Sequence, residues 1–400
     1  MADQLAEKNS LVDMEGSSNG SGSLVRSLTR SWQKTRSSLA QRARESLILW
    51  RNRRSPRVSV VIATFDRPQV LTQGIRAVQQ QTVTGWEVMV IGDCCKPSTR
   101  EAIESLGDPR IHYANLPARC GEQSIQNSVG LALARAPIVA FLNHDDYWLP
   151  DHLEIGLSRL DKTKADLCTT TAVFAVHASP EGDDVSLAES SPTWRTLPDV
   201  FDRPFFLFEP ISSWLVRKSN VLGLGPIGPA VAVARPPITD WLLRFWRAGL
   251  RHTNETRVTV VKDAIRRPAA GSPHYPQPSL LFPYMADLTA GRTPDSIRAE
   301  IARRQAERVR SHVPVRDFEG PIAAGALQER LEGRLTPDAL RAFLETGQDP
   351  YDEAVREAGM PLGLLLRNSL TRRTGERMPS PPDFDEMVQA ARLQLSDSPA

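Results

Sequence analysis

The chain is poor in residues that could staple, ligate or anchor it. Its four cysteines (Cys94, Cys95, Cys120, Cys168) fall at no metal-binding spacing. Two of them are neighbours, which suits neither an ordinary disulfide nor a zinc site. Buried or inert thiols in a reducing compartment are the expectation. No apolar run is long enough to cross a bilayer and the N-terminal residues lack a signal-peptide core, so a cytoplasmic location is expected. The charge excess is slight: 49 Lys and Arg against 47 Asp and Glu leave a formal net charge of +2. That argues against a general nucleic-acid-binding surface, and no nucleic-acid partner is expected. No repeat period is evident, and no G-x-G-x-x-G follows the first strand pattern, which weighs against a dinucleotide-binding enzyme.

What is present is ordinary for a soluble globular chain: 400 residues, 40% hydrophobic and 24% charged. Three stretches differ in character. Residues 1–56 look separate from the fold, with a Ser/Gly/Asn-rich segment followed, from Leu24 to Arg54, by nine Lys or Arg against the single acid Glu45. Val25, Leu28 and Trp32 fall at helical spacing among these cations. Such an arm reads either as a solvated flexible tail or as an amphipathic helix lying on an anionic membrane. Residues 57–285 alternate strand and helix patterns, beginning with Val58–Ala63 and Trp86–Ile91, which predicts a mostly parallel sheet flanked by helices. Asp66 is a candidate N-cap for the first helix, with Pro68 in its first turn. Residues 286–400 turn to short helices with Thr-Pro starts (Thr293-Pro294, Thr336-Pro337), a helical appendage packing on the preceding domain or on a partner.

The chemistry concentrates in Leu142-Asn143-His144-Asp145-Asp146-Tyr147-Trp148-Leu149-Pro150. An apolar strand, Ala136–Leu142, stops at two adjacent carboxylates, and a helix with Leu153, Leu157 and Leu160 on one face follows. In an open α/β sheet, ligands bind beyond the carboxyl ends of the strands. Two neighbouring acids there suit Mg²⁺ or Mn²⁺ with a diphosphate. The alternative is that they cap the following helix.

Further motifs decide between these. Thr64-Phe65-Asp66-Arg67-Pro68, then Gly92-Asp93, then Asn127 with Gly130, then His144-Asp145-Asp146 form a succession that resembles a family 2 glycosyltransferase of the GT-A fold. The likeness is strong from about Arg57 to Asp166 and looser to about Tyr275. It implies a nucleotide-diphosphate sugar donor, a divalent metal (Mn²⁺ or Mg²⁺) and inversion at the anomeric carbon. Carried onto this chain, Thr64 and Arg67 lie beside the nucleotide, Asp93 bonds the base, and Asn127 and Gly130 belong to the same nucleotide-binding set. Asp145 and Asp146 are the metal-and-ribose motif, and His274 resembles a metal-binding histidine. The base that takes the acceptor proton is Asp240, which opens a helix with Trp241, Leu242, Phe245 and Trp246 inside. The chain departs from the family pattern twice: Asn143 stands for the first acid of the extended motif, and Thr239 for the Glu that usually precedes the base.

Each position has a plainer reading: a turn cap for Asp93, an exposed helix start for Arg67, close helix–sheet packing for Gly130, a supporting role for His144, a helix-start residue for Asp240 and a surface residue for His274. Two functional alternatives stay open. A sugar nucleotidyltransferase should carry a Gly-rich basic triphosphate loop after the first strand, where Thr64–Pro68 offers only Arg67. A catalytically silent nucleotide-sugar-binding scaffold would fit Asn143 and Thr239. The acceptor expected of an active enzyme is a carbohydrate, glycolipid or protein hydroxyl, with peripheral contact to the inner membrane face through residues 24–54. If that contact exists, the full chain co-sediments with anionic vesicles, less so as salt rises, while a chain lacking residues 1–55 stays in the supernatant. Equal sedimentation of the two would assign the arm to solvent.

Overall fold

The computed structural model describes residues 56–178, 184–191, 197–202, 210–265, 279–310, 327, 329–360, 362, 380 and 382–396. The basic arm at 24–54 and His274 lie outside the described residues. In chain order the elements are β1 (Val58–Thr64), α1 (Pro68–Gln79), β2 (Trp86–Gly92), α2 (Pro97–Glu104), β3 (Ile111–Asn115), α3 (Ser124–Leu133), β4 (Ile138–Phe141), β5 (Tyr147–Trp148), α4 (His152–Thr163), β6 (Leu167–His177) and β7 (Val185–Ser190). Then come α5 (Leu197–Asp202), a 3-10 turn at Ile211–Ser213, β8 (Trp214–Arg217), α6 (Lys218–Val221), α7 (Pro237–Arg247) and β9 (His252–Asp263). The chain finishes in α8 (Leu281–Thr289), α9 (Pro294–Arg310), α10 (Pro337–Thr346), α11 (Pro350–Glu357) and α12 (Phe384–Ser396).

One nine-stranded sheet runs in the order β3-β2-β1-β4-β8-β6-β9-β5, with β7 on β6. The first four strands are parallel, as the alternating pattern predicts. Beyond β4 the sheet is mixed: β8 runs antiparallel to β4 and β6, and β5 antiparallel to β9, while β6 and β9 are parallel. The long β9 has a pattern diluted by Thr, Asn, Glu and Arg, which is why the sequence did not announce it.

Alternation along the strands builds two cores. Val58, Val60, Ile62, Val88 and Val90 meet Leu71, Ile75 and Val78 of α1 and Leu153, Leu157 and Leu160 of α4. Val61, Ile91, Val139 and Phe141 face the other way, onto Ile125 and Val129 of α3 and onto Trp241, Leu242 and Phe245 of α7. Each such Leu or Ile stabilises the fold by about 1.5–3 kcal/mol. The late helices join these cores: Phe343, Phe384, Met387 and Val388 lie in the α3–α7 layer. Ile297 and Ile301 of α9 pack beside Tyr147 and Val261. No helix of the described residues is long and apolar enough to cross a membrane.

Two ion pairs fasten the C-terminal helices. Arg298 of α9 donates to both oxygens of Asp151 at 2.6 Å. Arg235 forms a buried fork on Asp349, Nε to Oδ2 at 2.6 Å and Nη2 to Oδ1 at 2.9 Å. Removing one partner of a buried pair strands the other charge. Asp349→Ala is therefore expected to lower unfolding free energy by about 3–5 kcal/mol in urea titration, against less than about 1 kcal/mol for the exposed Asp338→Ala.

Candidate active site

The carboxyl ends of β1, β2 and β4 meet at one edge of the sheet, and the backbone there is tight. Asp66 and Cys94, just past β1 and β2, adopt positive φ of 43° and 57°, a conformation non-glycine residues take at local cost. This geometry overturns Asp66 as an N-cap. Its Oδ1 instead accepts from Lys96 N–H at 2.8 Å, tying the two strand ends together, and Arg67 stands at the cap position without a side-chain cap bond. Gly74 of α1 lets the helix lie on the acidic loop, since a Cβ there would sit 2.9 Å from the His144 carbonyl oxygen.

Asp146 is wholly buried. Its Oδ2 accepts from Ser212 Oγ at 2.5 Å and Asn143 Nδ2 at 3.0 Å. Its Oδ1 accepts from the Asp263 backbone N–H at 3.0 Å, and Lys262 Nζ lies 3.2 and 3.4 Å from the two oxygens. Burial, and then the neighbouring Asp145 charge, push the Asp146 carboxyl above its usual range, against Lys262 and the hydrogen bonds. Ser212 is fixed in turn by Trp148, whose Nε1 donates to its carbonyl at 2.7 Å. Asp146 thus joins the end of β4, the 211–213 turn and β9.

Asp145 points to a different partner. Arg67, buried to 4% exposure and so not a surface helix-start residue, donates Nη1 to Asp145 Oδ2 at 2.9 Å. The same Nη1 is 3.2 Å from His144 Nε2, while His144 Nδ1 is 3.1 Å from the Ala63 carbonyl. A carbonyl only accepts, so Nδ1 carries the proton and Nε2 accepts from Arg67. Burial opposes the charged form of Asp145, but the neighbouring His144, Lys262 and Arg67 outweigh it and hold the carboxyl at about 2. Arg67 is in direct contact with the Asp145 carboxylate, and burial pushes His144 below its usual range.

Among the other expected nucleotide-binding residues, Thr64 Oγ1 and Asn127 Nδ2 are buried atoms with no hydrogen-bond partner among the described residues. Asp93 is also buried, but both of its oxygens are engaged: Oδ1 accepts from Cys120 N–H at 2.6 Å and Oδ2 from Gly121 N–H at 3.0 Å. Burial nonetheless pushes its carboxyl up. As it stands, Asp93 shapes the loop that carries Cys120 and Gly121. Gly130 packs closely on β1, since a Cβ there would lie 2.3 Å from Val61 Cγ1. Its smallness seats α3 on β1, one helical turn from Asn127.

Asp240 lies in the first turn of α7, with 29% of its side chain exposed, paired to Arg244 at 2.8 Å. Arg244 also donates to the carbonyls of Leu224 and Pro226, at 2.6 and 2.9 Å, clamping the loop before the helix. The following residue, Trp241, packs 5.9 Å from Trp214, two residues beyond the Ser212 that holds Asp146. Sequence reasoning missed Ser212, Lys262, Asp263 and Gly74. The one available signal was Ser212-Ser213 inside an apolar run, two hydroxyls destined for burial and hence for partners.

The expected metal set fits these residues poorly. Asp146 accepts from four donors, one of them an ammonium group. Asp145 has given one oxygen to Arg67, and His274 is outside the described residues. Among the described residues, no three His, Cys, Asp or Glu side chains come together to hold a metal ion.

A helix-flanked α/β sheet with an ionised acid, an arginine and unpartnered polar atoms at its strand ends defines a binding site for an anionic, hydrogen-bonding ligand. The family model for Glycosyl transferase family 2 matches residues 59–221 of this chain. Relatives include an Escherichia coli (strain K12) protein named as a colanic acid biosynthesis glycosyl transferase, 25% identical over 42% of this chain and 55% of its own length. A Bacillus subtilis (strain 168) protein named for glycosyl transfer in teichuronic acid biosynthesis is 31% identical over 34% of this chain and 54% of its own. The UDP-Glc:alpha-D-GlcNAc-diphosphoundecaprenol beta-1,3-glucosyltransferase of Escherichia coli is 28% identical over 26% of this chain and 41% of its own. The chain thus spans about half the length of the curated relatives it matches. Among solved structures, S. aureus TarS with UDP-GlcNAc aligns at a TM-score of 0.43 and 14% identity, covering 76% of this chain and 92% of that one.

The different surroundings of the two acids should separate them in unfolding experiments. Asp146→Asn places an amide among four donors and is expected to cost about 3–5 kcal/mol in denaturant titration. Asp145→Asn, with its less crowded carboxyl, is expected to cost about 1–3 kcal/mol. Equal losses would contradict the assignment of Asp146 as the structural member.

Proposed function

We propose that the protein transfers a sugar from a nucleoside-diphosphate sugar to an acceptor hydroxyl, with inversion at the anomeric carbon. The observation that carries this reading is the pair of sealed, unpartnered polar atoms, Thr64 Oγ1 and Asn127 Nδ2. They sit on two elements pressed together where Gly130 meets Val61, and Thr64 stands three residues before Arg67. Polar atoms withdrawn from water without partners mark the place of a ligand that supplies them. The match to the Glycosyl transferase family 2 model over residues 59–221 and relatives named for glycosyl transfer in glycan biosynthesis support the same reading.

In this proposal Thr64, Asn127 and the loop fixed by Asp93 cradle the nucleotide, and Arg67 contributes positive charge near its phosphates. Asp240, steadied by Arg244, takes the proton from the acceptor hydroxyl. The acceptor oxygen then bonds the anomeric carbon from the face opposite the departing phosphate oxygen, whose bond to carbon breaks. Inversion follows from the single displacement, and no covalent enzyme intermediate is needed. No step is routed through a divalent ion, because the residues do not fit one. A relative named for a diphosphoundecaprenol-linked acceptor favours a lipid-linked glycan here, presented at the inner membrane face where the basic arm would dock.

A scaffold without turnover is the second reading, favoured by the salt bridge that occupies Asp240. A thermal-shift panel of nucleoside diphosphates followed by acceptor-dependent turnover decides between them. Asp240→Asn is expected to keep donor affinity within about a factor of three while kcat falls roughly 10²–10⁴-fold. Wild-type turnover in that variant would move the base elsewhere, and a matching loss of donor affinity would assign Asp240 to the nucleotide site.

A further inference from the structure

We infer that the cation meeting the donor's diphosphate is Lys262 of β9, in place of a divalent ion bound by the acidic pair. The inference rests on the nucleotide-sugar reading above and deepens it. Lys262 Nζ stands 3.2 and 3.4 Å from the two oxygens of Asp146. About a quarter of its side chain remains exposed, while Asp146 beneath it is wholly buried. Asp146 does not depend on the ammonium for satisfaction. Ser212 Oγ, Asn143 Nδ2 and the Asp263 N–H are already on its oxygens at 2.5, 3.0 and 3.0 Å. A long flexible amine resting on an otherwise satisfied carboxylate can turn to a phosphate without leaving an unpaired buried acid behind.

The substitution at Asn143 belongs to the same design. In the resembling family an acid stands at this point of the motif. Here an amide stands there and donates its N–H to Asp146. A carboxylate at 143 would face Asp146 oxygen to oxygen and would call for a counter-charge. With Asn143, Asp145 is paired with Arg67 and Asp146 with Lys262. A divalent ion added to this set would meet the Lys262 ammonium as a like charge at short range. The diphosphate itself brings the negative charge for which Lys262 and Arg67 are then the partners.

The test uses the full chain and calorimetry with UDP, GDP, CDP, ADP and dTDP, each in EDTA and in Mn²⁺. The expected result is a nucleoside diphosphate that binds within about twofold in the two conditions. Lys262→Met should weaken it by about tenfold to a hundredfold, Lys262→Arg should recover most of the loss, and the matching nucleoside monophosphate should be less affected. Binding by wild type only in Mn²⁺ would overturn the inference while leaving the nucleotide-sugar reading intact. Binding of none of the five in either condition would remove both. The wild-type arm alone decides if Lys262→Met melts at the assay temperature, and undiminished diphosphate binding by a folded Lys262→Met also overturns the inference.

Discussion

A buried carboxylate without enough donors costs several kcal/mol, and Asp146 shows how that cost is offset. Its donors come from the acidic loop itself, from the Ser212 turn and from the end of β9. No single segment could satisfy it. The parallel half of the sheet, read as far as β4, is therefore incomplete until the antiparallel additions arrive. The site exists only where the two halves are joined. That dependence explains why two adjacent acids differ so much: Asp146 serves cohesion, and Asp145, turned to Arg67, stays ionised.

The same logic extends outward through cations. Arg67 joins β1 to the acidic loop, Arg298 joins α9 to the start of α4, and Arg235 joins the segment before α7 to α11. Each is a fork or a short contact on a carboxylate, and each bridges segments far apart in sequence. Arginine suits this duty because its planar donors stay charged under burial. The late helices are consequently part of the architecture around the site, contributing Phe343, Phe384 and Met387 to the core that also holds Trp241.

Much of this was legible in the sequence because periodicity reports burial directly. β1, β2 and the face of α4 with Leu153, Leu157 and Leu160 follow from alternation and helical spacing. The order of Thr64, Asp93, Asn127 and Asp145 carried the family. What could not be read was pairing across long separations. Nothing local says that Ser212 and Lys262 will converge on Asp146, since the contacts span 66 and 116 residues. Gly130 shows a motif position with a packing reason that sequence offered only as one alternative, a 2.3 Å approach of its absent Cβ to Val61. Asp66 was misjudged because a good cap sequence lost to a strand-end tie with Lys96.

The outermost strand of the parallel half, β3, has its free edge closed by a side chain. Gln394 of α12 accepts from Asn115 N–H at 2.9 Å and donates to its carbonyl at 2.7 Å, imitating a neighbouring strand across 279 residues of chain. An exposed edge of this kind invites pairing with another molecule. On a ribosome adding about 5–20 residues per second, the interval between making Asn115 and making Gln394 is on the order of tens of seconds. For that time the nascent domain carries an open flank. Its passage through synthesis is thus a period of risk that ends only when the last helix docks.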